Sequence, residues 1–122
     1  MSPWLFVGAA LAGGVGAGLR YLVDDLVMRG RTARFPLGIL VVNVTGSFAL
    51  GVLTGLGAAV VPADLAVVLG TGLLGGYTTF STVSVETVLL AQRGRRASAV
   101  LNLGGTLALS LLAATLGVLV AS

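Results

Sequence analysis

Residues 70–86 read GTGLLGGYTTFSTVSVE, and this stretch decides how the chain folds. Two adjacent glycines, Gly75 and Gly76, are followed by Tyr77 and then by the β-branched Thr78 and Thr79, and glycine and threonine are poor helix formers. We therefore predict a helix that is broken between about Gly75 and Thr79. Such a break frees backbone carbonyls, which in a membrane must be buried in protein or bound to an ion. The alternative is one continuous helix with close packing at Gly72 and Gly76.

The apolar segment that contains this stretch is one of four. Each is longer than the roughly 20 residues that cross about 30 Å of hydrocarbon. The chain has 122 residues, 57% hydrophobic and only 9% charged, which excludes a soluble globular enzyme. We predict one all-α integral membrane domain over residues 1–122, with four transmembrane helices. The predicted spans are Pro3 to Val23, Pro36 to Val61, Asp64 to Ala91 and Ala97 to Ala121.

Glycine occurs at helix-packing spacing in three of these spans. Pairs of glycines four residues apart allow helices to approach closely in lipid, so they predict a tightly packed bundle. The pairs are Gly14 and Gly18, Gly51 and Gly55, and Gly72 and Gly76.

The sequence contains no cysteine and no histidine. Disulfides, thiolate metal sites, Cys or His nucleophiles and imidazole proton relays are therefore excluded. Function must depend on hydroxyls, amides, backbone groups and a few charges, and we predict that the protein is not an enzyme.

Uncharged polar side chains recur inside the predicted spans. Asn43 lies in the second span, with Ser47 one turn later on the same face. In the fourth span Asn102, Thr106 and Ser110 recur every four residues and form one polar stripe. Hydrogen bonds between helices, or to carbonyls of the same helix, are the alternative use of such residues.

The third span adds hydroxyls and an aromatic ring. Phe80 and Ser84 share a face, with Ser81 and Thr82 on neighbouring faces. The edge of an aromatic ring is electropositive, so Phe80 and the neutral donors together favour a small anion. A cation would require carboxylate rings or carbonyl cages, and the only acid well inside the latter half of this span is Glu86.

Three stretches of the chain resemble the signature blocks of the CrcB/Fluc family of fluoride channels. They are GGVGAGLRY from Gly13 to Tyr21, FPLGILVVNVTGSFALG from Phe35 to Gly51, and the stretch quoted first. The third block is the most specific, since GG-x-TTFST inside an apolar segment is rare. The resemblance implies a passive fluoride channel subunit in a prokaryotic plasma membrane. It further implies an antiparallel dimer with two fluoride pathways along the interface and a structural sodium ion at its centre.

The resemblance also implies roles for individual residues. The sodium ion would be held by the backbone carbonyls of Gly75 and Thr78, and Arg20 corresponds to the vestibule arginine of the family. The anion pathway would contain the family's pore asparagine, its first pore phenylalanine and its hydroxyl track, which we extend along the polar stripe of the fourth span. These residues are Asn43, Phe80, Ser81, Thr82 and Ser84, and the extension adds Thr106 and Ser110.

Two positions depart from the family pattern. Val83 stands where the family usually has a second phenylalanine, and Ile39 stands where it often has threonine. These departures leave open a non-conducting subunit that only completes a heterodimeric channel. A proton-coupled exporter of the small multidrug class has the same size, but such coupling requires a membrane carboxylate and the first span has none before Asp24.

The basic residues are distributed unevenly along the chain. All seven lie in or next to the first and third connections, so the positive-inside rule places these connections in the cytoplasm and both termini outside. This imbalance predicts one fixed orientation and an oppositely oriented homologous partner, and an antiparallel homodimer is the alternative. We expect contact with membrane lipid and no nucleic-acid partner. The basic residues are Arg20, Arg29, Arg31, Arg34, Arg93, Arg95 and Arg96.

Overall fold

The computed structural model describes residues 2–31 and 35–122, and it is all-helical apart from connections. Four segments of this described part are long and apolar enough to cross a membrane, which confirms the predicted number of spans. The third span consists of two helices. The helices are α1 (Pro3–Met28), α2 (Leu37–Leu56), α3 (residues 63–77), α4 (Phe80–Gln92) and α5 (Arg96–Ala121).

Two helix ends differ from the sequence prediction. Helix α1 continues past Val23 to Met28 and so includes the first acidic residues. Helix α2 ends at Leu56 rather than at Val61. The cause is Gly57, whose φ of +73° lies in the left-handed region that ends helices and favours glycine.

Helices α3 and α5 each contain a π-helical stretch. These stretches are Val67–Leu74 in α3 and Leu101–Gly105 in α5. A π-helical turn widens the helix locally and is often found at functional sites. In α3 the stretch leads into a last helical turn, Gly75–Tyr77.

Helix α3 is separated from α4 by two extended residues. Thr78 has φ −79° and ψ 155°, and Thr79 has φ −150° and ψ 122°. The glycine pair lies in the last helical turn, Gly75–Tyr77, so the interruption falls on the threonines, whose branched side chains favour extended backbone. Helix α4 then starts at Phe80, and the Thr79 hydroxyl caps it by accepting a hydrogen bond from the Thr82 N–H at 3.2 Å.

Helix α1 packs on α3 through glycines. A Cβ atom added at Gly16 would collide with a backbone carbonyl of α3, and one added at Gly76 would collide with a carbonyl of α1. This close approach provides the van der Waals contact that holds helices together in lipid. The predicted pair of Gly14 and Gly18 takes no part, because the space beside both residues is open within the described chain.

Helix α2 lies at the centre of the bundle, where it contacts α1, α3 and α5. Its predicted pair of Gly51 and Gly55 faces the backbone of α5, and Gly117 of α5 faces the backbone of α2 in return. Helix α4 has a different partner, since it packs on the first half of α5.

The α1–α2 and α4–α5 connections lie at the same end of the bundle. A groove of about 350 Å³ joins Asp24 of the last turns of α1 and Pro36 of the first connection with Glu86 of α4 and Arg93 of the other connection. The described arginines of these connections and of the adjoining helix ends are therefore grouped at one end: Arg29, Arg31, Arg93, Arg95 and Arg96. Arg34 of the first connection lies outside the described residues.

Candidate functional site

A groove of about 200 Å³ opens beside the interruption between α3 and α4. Helices α2, α4 and α5 form its walls, and none of the described residues that line it is charged. The groove brings together four of the seven residues predicted for the anion pathway. These are Asn43, Phe80, Thr106 and Ser110.

Asn43 binds the backbone of Thr79 at two points. The Asn43 Nδ2 donates to the Thr79 carbonyl at 2.9 Å, and its Oδ1 accepts from the Thr79 N–H at 2.8 Å. Asn43 is only 7% exposed, so these bonds satisfy backbone groups that the interrupted helix would otherwise leave unpaired in the interior. The amide predicted as an anion donor thus fixes the interruption, and its second N–H is left for a ligand.

Two neighbours of Asn43 contact the residues just before Thr79. The Thr45 and Tyr77 hydroxyl oxygens lie 2.9 Å apart. A Cβ atom added at Gly46 would press on the Thr78 side chain. Helix α2 therefore holds three successive residues at the interruption. Sequence analysis did not identify this role of Thr45.

Thr106 and Ser110 stand apart from the other hydroxyls of the spans. Their oxygens are buried and have no hydrogen-bond partner among the described residues. A hydroxyl in a membrane helix usually donates to the carbonyl four residues back, as Thr115 does to Leu111 at 2.9 Å. Because an unpaired buried hydroxyl is costly, the two that line the groove are donors that a ligand can use.

The predicted hydroxyl track of α4 is bonded within its own segment. Ser84 Oγ donates to the Phe80 carbonyl at 3.0 Å. The Thr79 Oγ1 lies 3.2 Å from Ser81 Oγ and donates to Thr82 Oγ1 at 3.1 Å. The residues described as lining the groove include none of Ser81, Thr82 and Ser84.

Phe80 and Val83 both line the groove but differ sharply in exposure. Phe80 is 71% exposed, whereas Val83 is 2% exposed. The ring is therefore accessible, and the valine fills the interior where the family usually has a second ring. Ile39 is buried, and Arg20 is half-buried on α1; neither belongs to the described lining of this groove.

The two carbonyls predicted to hold sodium receive no hydrogen bond from the described residues. In a continuous helix the Thr79 N–H would donate to Gly75, but here it donates to Asn43. The Thr78 carbonyl would likewise accept from the Thr82 N–H, which here donates to Thr79 Oγ1 at 3.2 Å. Carbonyl oxygens freed in this way serve as cation ligands in membrane proteins, so Gly75 and Thr78 fit the predicted ion.

Asn102 has contacts that sequence reasoning missed. It is 1% exposed, and its Nδ2 donates to Thr87 Oγ1 at 2.9 Å and to the Val83 carbonyl at 3.3 Å. The sequence placed Asn102 in the polar stripe without a role. One feature of the sequence could have indicated these contacts. The chain has only two asparagines, and Asn43, like Asn102, lies inside a predicted span.

Four apolar spans around an uncharged polar groove define a multi-pass membrane protein. The family described as CrcB-like protein, Camphor Resistance (CrcB), matches residues 7–118, and the chain belongs to this family. This confirms the family predicted from the three sequence blocks.

Three relatives named as fluoride-specific ion channels match most of the chain. The fluoride-specific ion channel FluC 1 of Leifsonia xyli subsp. xyli (strain CTCB07) is 44% identical over 118 residues, which is 96% of this chain and 86% of that protein. FluC 2 of Mycobacterium bovis (strain ATCC BAA-935 / AF2122/97) is 44% identical over 113 residues, 93% of this chain and 87% of its own. FluC of Shewanella halifaxensis (strain HAW-EB4) is 46% identical over 103 residues, which is 84% of this chain and 82% of that protein. The family is one of ion channels and not of enzymes, as predicted, and these similarities favour neither the exporter nor the non-conducting subunit.

Proposed function

We propose that this chain is a subunit of a passive, fluoride-selective channel. The observation that carries the proposal is the pair of buried hydroxyls, Thr106 and Ser110, which have no partner among the described residues and line the same groove as Phe80. Neutral hydroxyls, an amide and an electropositive ring edge replace part of the hydration shell of a small anion. Because they carry no net charge, they also release the anion again. The relatives named above are fluoride-specific ion channels, which supports fluoride as the anion.

The proposed direction of transport is export from the cytoplasm. Fluoride enters from acidic surroundings as neutral HF, dissociates in the neutral cytoplasm and accumulates there. A negative-inside potential then drives the anion outward with about 2.3 kcal/mol per charge per 100 mV. No coupling ion is required, and the described residues that line the groove include no charge that coupling would use.

A second, antiparallel subunit is proposed to close the groove. Phe80 lines the groove and is still 71% exposed, so the groove is open along one side of the single chain. An anion in a groove open to lipid would lose its hydration without full replacement, so conduction requires a covering surface. In such a dimer the interruption of the third span would lie in mid-membrane beside the pathway.

The distribution of charge favours a homologous partner over a second copy. Six of the seven arginines belong to the first and third connections and their helix ends, and Arg20 lies on α1 about two turns before its end. This distribution supports cytoplasmic connections and external termini. A single cysteine is introduced at the N-terminus of the chain, and intact cells that express it are treated with a labelling reagent. We expect labelling from outside only. Near-equal labelling from both sides would instead support an antiparallel homodimer with two orientations.

A structural sodium ion is proposed at the dimer centre. The free carbonyls of Gly75 and Thr78 from two subunits would supply four neutral oxygens, and oxygen is the ligand that hard cations prefer. The ion would fix the two interruptions against each other and would not move with fluoride. Replacing sodium with a large organic cation should lower the melting temperature of the purified dimer, and equal melting in both buffers would contradict the site.

Fluoride efflux from liposomes tests the channel itself. Purified protein is reconstituted alone and together with a homologous partner, and a potassium gradient with valinomycin drives the anion out. We expect rapid fluoride efflux in at least one preparation and little efflux from chloride-loaded liposomes. Folded, inserted protein that releases no fluoride in either preparation would contradict the proposal.

A further inference from the structure

We infer that Asn102 positions the wall of the anion groove that α4 forms, an inference that rests on the proposed channel function. The amide nitrogen of Asn102, on α5, donates to Thr87 Oγ1 at 2.9 Å and to the Val83 carbonyl at 3.3 Å. Both acceptors belong to α4. The three residues form a buried polar bridge between the two helices, and amide bonds of this kind fix helix register in membranes.

Helix α4 requires such a bridge because of how it begins. The extended residues Thr78 and Thr79 separate it from α3, so no continuous helical backbone fixes its position. Within the described residues, amide hydrogen bonds join this segment to other helices at two levels. Asn43 of α2 holds it at Thr79, and Asn102 of α5 holds it one turn and two turns beyond Phe80.

The bridge aligns two walls of the groove. On α4, Val83 lies about one turn after Phe80, and both line the groove. On α5, Thr106 lies about one turn after Asn102 and offers its unpartnered hydroxyl to the same space. The bond from Asn102 to Val83 therefore sets the distance between the Phe80 ring and the Thr106 hydroxyl.

The directions of the hydrogen bonds require an amide nitrogen at this position. Thr87 Oγ1 donates its proton to the Val83 carbonyl at 2.7 Å, so both oxygens act as acceptors toward Asn102. The amide oxygen of Asn102 is buried and has no partner among the described residues. Leucine would fill a similar volume without burying a bare oxygen, so packing alone does not account for asparagine here.

Two variants remove the bridge from opposite sides. Asn102→Leu removes the donor, and Thr87→Val removes one acceptor while leaving the Asn102 side chain in place. Both proteins and the parent are reconstituted as the conducting dimer, and fluoride efflux, its dependence on fluoride concentration and the fluoride-to-chloride ratio are measured. We expect fluoride efflux to fall about fivefold or more, and the fluoride-to-chloride ratio about threefold or more, because a loosened wall fits the small anion less closely.

Two further variants separate positioning from general stability. Thr87→Ser keeps the acceptor hydroxyl and should retain the parental fluoride-to-chloride ratio. Leu90→Val changes a buried packing residue of α4 that is 4% exposed and takes no part in the bridge. It should lower the melting temperature without changing the fluoride-to-chloride ratio.

The outcomes distinguish this inference from the proposed function. A conducting parent whose Asn102→Leu and Thr87→Val variants keep its fluoride-to-chloride ratio overturns the inference alone. The inference is also overturned if Leu90→Val lowers the fluoride-to-chloride ratio as much as the bridge variants do when all of them lose the same melting temperature. If Asn102→Leu fails to fold, Thr87→Val decides by the same criterion. A parent that conducts no fluoride overturns the proposed function and this inference with it.

Discussion

The two halves of the third span are held in the bundle by different interactions. Helix α3 lies against α1 with glycine backbone on backbone, so that an added Cβ at Gly16 or Gly76 has no room. Helix α4 is attached through the amides of Asn43 and Asn102, the only two asparagines of the chain. Close backbone contact leaves no space, whereas side-chain bridges leave a groove between the helices they join. The candidate site therefore lies beside the half that hydrogen bonds hold.

Helix α3 is the close-packed half of the third span, and its contact with α1 should tolerate substitutions least. In Gly16→Ala the new methyl group would collide with backbone atoms of Leu73 and Tyr77, so α1 and α3 must separate. We expect the variant to lose about 4 kcal/mol of stability and most of its folded yield, since overpacking at a rigid backbone contact has no cheap relaxation. The melting temperature and the monodisperse fraction after detergent extraction measure this.

The matched control is the same change two residues earlier. Gly14 lies on α1 next to open space within the described chain, so Gly14→Ala should fold as the parent does. Equal losses at both positions would show that α1 does not rest on α3 in the way described.

Helix α4 is the hydrogen-bonded half of the third span. Substitutions that remove its hydrogen bonds should cost less stability but more fluoride efflux. Asn43→Leu leaves the N–H and the carbonyl of Thr79 without their partners, and each unpaired buried group costs about 1–3 kcal/mol. We expect about 2–3 kcal/mol of destabilisation together with loss of fluoride efflux, because the interruption borders the groove. Thermal unfolding and liposome efflux measure the two effects.

Thr54→Val provides the control for Asn43→Leu on the same helix. The Thr54 hydroxyl is exposed and donates to the Leu50 carbonyl of its own helix at 2.9 Å, so its removal should change neither quantity. An Asn43→Leu protein with parental stability and efflux would contradict the role of Asn43 at the interruption.

The sequence predicts the close-packed half better than the hydrogen-bonded half. Apolar spans and glycine spacing are local properties, so the four spans and the contacts of Gly51 and Gly76 follow from the chain itself. The same spacing was misleading at Gly14 and Gly18, because which face of α1 meets α3 depends on the partner helix. The register of the bundle decides this, and a single span does not contain it.

Residue spacing along the chain cannot identify the hydrogen-bond partners of polar side chains. Asn43 bonds to a residue 36 positions away, and Asn102 to residues 15 and 19 positions away. The stripe of the fourth span predicted one polar face, and two of its members, Thr106 and Ser110, line the groove. It could not show that Asn102 is bonded to α4 while Thr106 is left without a partner among the described residues.

Phe80 should separate function from stability within the hydrogen-bonded half. Its ring is 71% exposed in the single chain, and isoleucine keeps an apolar side chain for the proposed second subunit to cover, so Phe80→Ile should lower the free energy of unfolding by less than about 1.5 kcal/mol. Loss of the electropositive ring edge should still reduce fluoride efflux about tenfold. Val85→Ala, an exposed change on the same helix, should leave efflux unchanged. Unchanged efflux in Phe80→Ile dimers would remove the ring from the pathway.

The smallest expected difference concerns two serines and decides which hydroxyls form the pathway. Ser110 lines the groove without a partner among the described residues, whereas Ser84 already donates to the Phe80 carbonyl at 3.0 Å. Ser110→Ala should reduce fluoride efflux about threefold and leave stability unchanged or slightly higher, because the variant no longer buries an unpaired hydroxyl. Ser84→Ala should change efflux less than about twofold, since its proton is already used within α4. Equal reductions in efflux in liposomes would place the hydroxyls of α4 in the pathway as well, and the groove would then extend further along α4 than its lining shows.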